Sequence, residues 1–186
     1  MKRSGCRSIQ IGVESGNNAM LRLIRKNITI EKAIEAADLI KRRGIQCQTF
    51  FMAGFPEETD ATLEDTRAAI RRINSDEILF SIYTPYPGTE NFDICRDNGL
   101  IDESYDAALY NHQSPENCFT ANIPKDRFRK LVIEMAAEVD QINRNRKAMH
   151  RRAELWASGK KALQEQGLVY TLGKTLRVIN RSLNSR

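Results

Sequence analysis

Three apolar segments, each ending in a turn bounded by glycine or proline, alternate with stretches of helical periodicity in the first hundred residues of this 186-residue chain. Ile9 to Gly16 reads I-Q-I-G-V-E-S-G, Phe50 to Pro56 reads F-F-M-A-G-F-P, and Tyr83 to Thr89 reads Y-T-P-Y-P-G-T. Short apolar runs alternating with helix-length segments predict a parallel sheet, because parallel neighbours need a long crossover between them. Sheets of this kind bind ligands outside the carboxyl ends of their strands. The polar residues at those three ends are therefore the first candidates for a site.

The spacing predicts strands over Ser8–Val13, Ile45–Ala53 and Ile78–Thr84. Asn17 or Asn18 can cap a helix through Arg25. A second helix starts at Thr29, with Ile30, Ala33, Ile34, Ala37 and Ile40 at helical spacing and Gly44 free to turn left-handed at its end. The continuous apolar run of the second strand predicts burial on both faces. Thr62 opens a third helix, with Asp65 as an imperfect capping-box partner, and a short helix follows over Thr89–Asp97. Residues 100–123 show no periodicity. After Pro124, Phe128, Leu131, Val132, Met135, Val139 and Ile142 form an apolar helical stripe. The helix is expected to weaken at Ser158-Gly159, and a last helix to align Val169, Leu172, Leu176, Ile179 and Leu183. Three parallel strands alone leave open edges, which native proteins normally cover, so the sheet reads as half of a larger one.

Charge marks the boundary between front and back. Residues 1–124 carry 14 Lys/Arg against 18 Asp/Glu, and residues 125–186 carry 15 against 6. The divisions expected are 1–99 for the βα units, 100–123 for an irregular connection and 124–186 for a basic helical extension. No apolar run approaches a membrane span, and the basic start lacks the apolar core of a signal peptide, so a cytoplasmic location is expected. Cys6, Cys47, Cys95 and Cys118 are far apart without a C-x-x-C pair, which predicts reduced thiols and no metal site. His112 and His150 have no partner at ligand or triad spacing. The basic tail reads as a solvated helix face, and contact with nucleic acid or membrane is not favoured.

Taken in this order, G-V-E-S-G, F-M-A-G-F-P and T-P-Y-P-G-T resemble the latter half of a radical S-adenosylmethionine (SAM) domain, most closely the branch often joined to a cobalamin-binding domain. The likeness covers roughly Gly5 to Gly99. It implies that the three units are the last half of a partial (β/α)6 barrel. By resemblance, Glu14 matches the position that binds the SAM ribose, with Ser15 beside it. Lys26 matches a basic residue near the methionine carboxylate, with Arg25 as a stand-in. Met52, Gly54 and Phe55 match the segment along the adenine, and Tyr83, Pro85 and Tyr86 lie on the adenine or substrate side. A carboxylate can accept both hydroxyls of a diol, and an ammonium suits a carboxylate. Read without the resemblance, Glu14 equally stabilises the amino end of the next helix, and Lys26 is a solvated lysine. Where the family commonly has G-F-P-G-E-T, this chain has Glu57 in place of the fourth residue, while Glu58 and Thr59 match.

The resemblance also implies a 4Fe–4S cluster held by C-x-x-x-C-x-x-C, a triplet this sequence does not contain. Alone, the chain is not expected to generate a radical from SAM. The partner implied is the missing N-terminal half or a complementing chain, with cobalamin possible in the parent and the substrate open. The other reading is a non-catalytic nucleotide-binding or interaction module whose basic helices dock on a partner.

Overall fold

In the computed structural model, the backbone is described for residues 1–101, 104–106 and 112–183, and side chains for these residues up to 161 and for 164. The chain divides into two compact units, Met1–Asn143 and Arg144–Arg186. The first holds β1 (Ser8–Glu14), α1 (Asn18–Leu23), α2 (Ile30–Arg42), β2 (Gln46–Ala53), α3 (Asp60–Arg72), β3 (Glu77–Ile82), α4 (Glu90–Asp97) and the start of α5 (Lys125–Leu183). The strands form one parallel sheet in the order β1-β2-β3. These are consecutive βα units of an α/β partial barrel.

Capping residues set where the helices begin. Asn17 accepts the backbone N–H groups of Ala19 and Met20, Thr29 that of Lys32, and Thr89 that of Phe92. Each such cap contributes about 1 kcal/mol. At α3 the expectation fails by one turn. Thr59 is the cap and Thr62 its reciprocal partner, so the box is Thr–Thr and Asp65 lies inside the helix. Asp65 instead accepts a hydrogen bond from the Asn17 side chain at 2.7 Å.

Burial on the sheet is one-sided, against the expectation for β2. Cys47, Thr49, Phe51 and Ala53 are buried, while Gln48, Phe50 and Met52 are only partly so. The buried face packs with Ala33 and Ala37 of α2, Leu63 and Ile70 of α3, and Phe128, Val132, Met135 and Val139 of α5. Burying each large member contributes roughly 1.5–3 kcal/mol. Across the other face runs a polar ladder, Gln10 to Gln48 at 2.9 Å and Gln48 to Glu77 at 2.8 Å, whose members are register partners. Helices cover one face only, and that is why the apolar run of β2 is not buried twice.

A smaller apolar cluster of Met20, Phe55, Tyr83, Cys95, Ile101 and Phe119 sits at the carboxyl end of the sheet. The second unit is helical, and α5 runs through Ser158-Gly159 without the expected break, because one glycine costs a helix only about 1 kcal/mol. Lys160 lies 5.6 Å from the Trp156 ring. The expected apolar face from Val169 to Leu183 lies outside the described side chains. Among the described residues, no helix is long and apolar enough to cross a membrane.

Candidate functional site

The end of β1 is where backbone and side chains depart most from regular structure. Gly12 pairs with Phe50 but Glu14 pairs with Phe51, so one residue is bulged out of register. Glu14 takes a left-handed backbone, φ 68°, and Arg25 is the other described non-glycine residue to do so, at 57°. A left-handed residue other than glycine costs roughly 1–2 kcal/mol, and such strain clusters at functional sites. Arg25 turns the chain out of α1, and the Lys26 N–H closes onto Leu21 O at 2.8 Å. That turn brings Lys26 Nζ to 2.9 Å from Glu14 Oε1, with both side chains partly exposed.

Gly12 makes room for this pair. A Cβ there would stand 2.9 Å from Lys26 Nζ and would overlap Glu14 Oε1. The pair is not saturated: a carboxylate offers about four acceptor positions and an ammonium three donors. It can hold a ligand diol and a ligand carboxylate while keeping its own contact.

Ser15 is engaged elsewhere. It is fully buried, accepts the Asn17 N–H at 3.1 Å, and shares a hydrogen bond with the Thr66 hydroxyl at 3.2 Å. Thr66 also accepts the Gly16 N–H at 3.0 Å. Ser15 thus fastens the turn after β1 onto α3.

After β2 the chain enters a tight turn. Gly54 has φ 98°, and a Cβ on it would lie 2.8 Å from the Phe128 ring. Phe128 of α5 therefore fills the space beside Gly54, which leaves its backbone as the part able to face a ligand. Glu58 closes the turn: its N–H donates to Phe55 O at 3.0 Å, and its carboxylate accepts the Gly54 N–H. Thr120 donates to Glu58 O at 3.0 Å. Glu58 is fully buried and its Oε1 has no partner. Burial pushes its carboxyl group up to about 7, against the pull of the Gly54 and Phe55 N–H groups. The preceding residue, Glu57, has no left-handed backbone, so the turn accepts it without a glycine.

At the end of β3, the ring of buried Tyr83 lies 5.1 Å from that of Phe55, and Met52 packs against the same cluster. Burial foremost, then nearby Cys95, raises the Tyr83 phenol. Pro85 is buried, with its carbonyl accepting from the Tyr105 hydroxyl, while Tyr86 is exposed and meets His112 Nε2 at 2.8 Å. Between these groups and the end of α1 lies a cavity of about 420 Å3. Arg25, Glu57, Tyr83 and Tyr86 line it, but Glu14 and Lys26 do not. The structure thus brings Glu14 and Lys26 together as a pair and sets Tyr83 and Tyr86 on the cavity, with Met52 and Phe55 in the apolar cluster that includes Tyr83 and Ser15 apart from both. Sequence reasoning named His112 and Phe128 but not the contact of His112 with Tyr86, the place of Phe128 beside Gly54, or the burial of Glu58. For Glu58 a signal existed in its place within the matched motif.

The cysteines do not fit a cluster. Cys47 and Cys95 are fully buried, and burial pushes the Cys95 thiol up to about 11. Among the described residues, no three metal-binding side chains are grouped.

The radical SAM superfamily model matches residues 1–70. The chain is 35% identical over 101 residues to an uncharacterized methyltransferase of Pyrococcus horikoshii, covering 54% of this chain and 22% of that protein. It is 31% identical over 114 residues to the anaerobic magnesium-protoporphyrin IX monomethyl ester cyclase of Rubrivivax gelatinosus, covering 61% and 20%. It is 37% identical over 83 residues to a tRNA-2-methylthio-N(6)-dimethylallyladenosine synthase of Halalkalibacterium halodurans, covering 44% and 15%. The front of this chain is thus similar to the radical SAM superfamily over residues 1–70, and to three of its curated relatives over 83 to 114 residues. The match spans about a fifth of the length of these curated relatives, or less.

Proposed function

We propose that this chain supplies the ribose- and carboxylate-binding part of a SAM site in a radical SAM enzyme. The observation that carries the reading is the Glu14–Lys26 pair, held by a strained backbone over Gly12 at a strand end. Glu14 accepts the ribose hydroxyls, Lys26 meets the methionine carboxylate, and the Met52–Phe55 backbone runs along the adenine. In such an enzyme, SAM and a reduced 4Fe–4S cluster together supply radical chemistry. The residues of this chain do not fit the cluster, so it is assigned to an upstream segment or a complementing chain. Relatives named as a methyltransferase, an ester cyclase and a methylthio-tRNA synthase bracket the parent reaction without selecting one.

S-adenosylhomocysteine carries the same diol and carboxylate, and its titration into the full chain by calorimetry tests the reading. A hydrogen bond to a charged group contributes about 1.5–3 kcal/mol. Glu14→Ala is therefore expected to weaken binding about 10- to 100-fold, and Lys26→Met to weaken it less. Equal affinity in wild type and Glu14→Ala would reduce the pair to a brace for the turn and favour an interaction module.

A further inference from the structure

The cavity of about 420 Å3 between the ends of α1, β3 and α4 has the size of a small-molecule site. Its walls are apolar at Leu23, Ile24 and Ile94, and aromatic at Tyr83 and Tyr86. Its polar groups are mostly matched to one another. Arg25 pairs with Glu90 at 2.7 Å, and the Thr89 hydroxyl donates to Tyr86 O at 2.8 Å. Glu57 is the exception. Its Oε2 is shut off from solvent with no hydrogen-bond partner, and it enters none of the ion pairs of the described residues.

A buried carboxylate oxygen without a partner is costly, and the turn does not require Glu57 for its backbone. Its charge reaches into the apolar cluster behind the cavity, where it helps raise Cys95 and Tyr83. The two oxygens of a carboxylate share one charge, so a donor arriving from the cavity side compensates the group as a whole. The aromatic wall favours a flat or cationic partner.

We propose that this cavity binds the amino or amidino nitrogen of a ligand, with Glu57 as its acceptor and specificity determinant. Two sources offer that chemistry. One is the exocyclic amine of adenine, which would deepen the SAM reading and rests on it; the other is the amine of a second ligand, which does not.

The test uses the full chain at neutral pH, with binding followed by amide chemical shifts. Adenosine is compared with inosine, which has a carbonyl in place of the amine, and benzamidine with benzyl alcohol. Glu57→Gln keeps size and removes charge; Glu57→Gly is the second variant should Gln disturb folding, which circular dichroism checks. If adenine is the source, adenosine binds at least about 10-fold tighter than inosine, and Glu57→Gln abolishes the preference. If a second ligand is the source, benzamidine shows that preference over benzyl alcohol and loses it in the variant, while adenosine and inosine bind alike. Both preferences absent, or both unchanged in the Glu57 variants, would overturn the proposal. Adenosine binding that depends on Glu14 but not on Glu57 would overturn it while leaving the SAM reading intact. Glu57-dependent benzamidine binding without any nucleoside binding would do the reverse.

Discussion

Glu58 is a carboxyl group whose surroundings favour its neutral form. Its ordinary value is 4.5 and burial raises it to about 7, so between those values the folded state binds more protons than the unfolded state. Stability therefore falls as pH rises from about 4.5 to about 7 and levels off above, by about 3 kcal/mol at 1.36 kcal/mol per pH unit. Urea midpoints measured from pH 5 to pH 8 should show this decline, and Glu58→Gln should flatten it. A wild-type midpoint independent of pH in that range would mean that the group is solvated. The amide oxygen of Gln can still accept the Gly54 N–H, so the slope is the diagnostic quantity and the absolute stability is not. At this scale the sequence was legible where a residue's chemistry is local. Asn17 caps α1, α2 and α4 begin at Thr29 and Thr89, and Gly44 turns left-handed, as their local sequence implies. The state of Glu57 and Glu58 was not legible, because their surroundings include segments far away in sequence, Thr120 on the Glu58 carbonyl and α4 across the cavity from Glu57.

Between elements, one aromatic ring of α5 is tied to one glycine after β2. Phe128 is fully buried beside Gly54, and the Arg67 and Arg71 side chains of α3 reach Glu138 two turns and more further along. Gly54→Ala carries two separable costs: a left-handed backbone of about 1–2 kcal/mol and the collision with the ring, another 1–3 kcal/mol typical of overpacking. In a Phe128→Ala background, itself about 3–5 kcal/mol less stable, only the backbone part should remain. A double-mutant cycle by chemical denaturation reads that difference directly. Equal costs of Gly54→Ala in both backgrounds would show that the ring does not occupy this space. The apolar stripe of α5 was visible as helical periodicity. Its docking site was not, since no local pattern says that a ring 74 positions away takes the place of a side chain at Gly54. The second strand shows the converse error: its apolar run predicted two buried faces, but helices pack on one.

For the whole molecule, the two edges of the sheet differ. Along the outer edge of β3, the Asn143 side chain accepts the Ile78 N–H at 2.9 Å and donates to Ile78 O at 2.8 Å. Gln113 donates to Phe80 O at 3.1 Å, and the Ile82 N–H donates to His112 O at 2.7 Å. Side chains and the connecting segment thus stand where a further strand would pair. On β1, Arg7 O accepts from Gln46, so alternation turns the backbone of Ser8, Gln10 and Gly12 away from β2. Among the described residues, no backbone group pairs with that edge. An open edge is a template for another strand, and the sequence already implied half a sheet. The structure adds a direction: among the described residues, the β1 edge beside the Glu14–Lys26 pair is open to a further strand, while the β3 edge is taken. Amide exchange on the full chain should find Ile78 and Ile82 protected and Gln10 and Gly12 exposed. Co-expression with a polypeptide bearing C-x-x-x-C-x-x-C βα units should slow Gln10 and Gly12 at least about 10-fold and leave β3 unchanged. Protection gained at β3 instead would place the complementing half on the wrong side for the pair, and the SAM site could not be assembled as proposed.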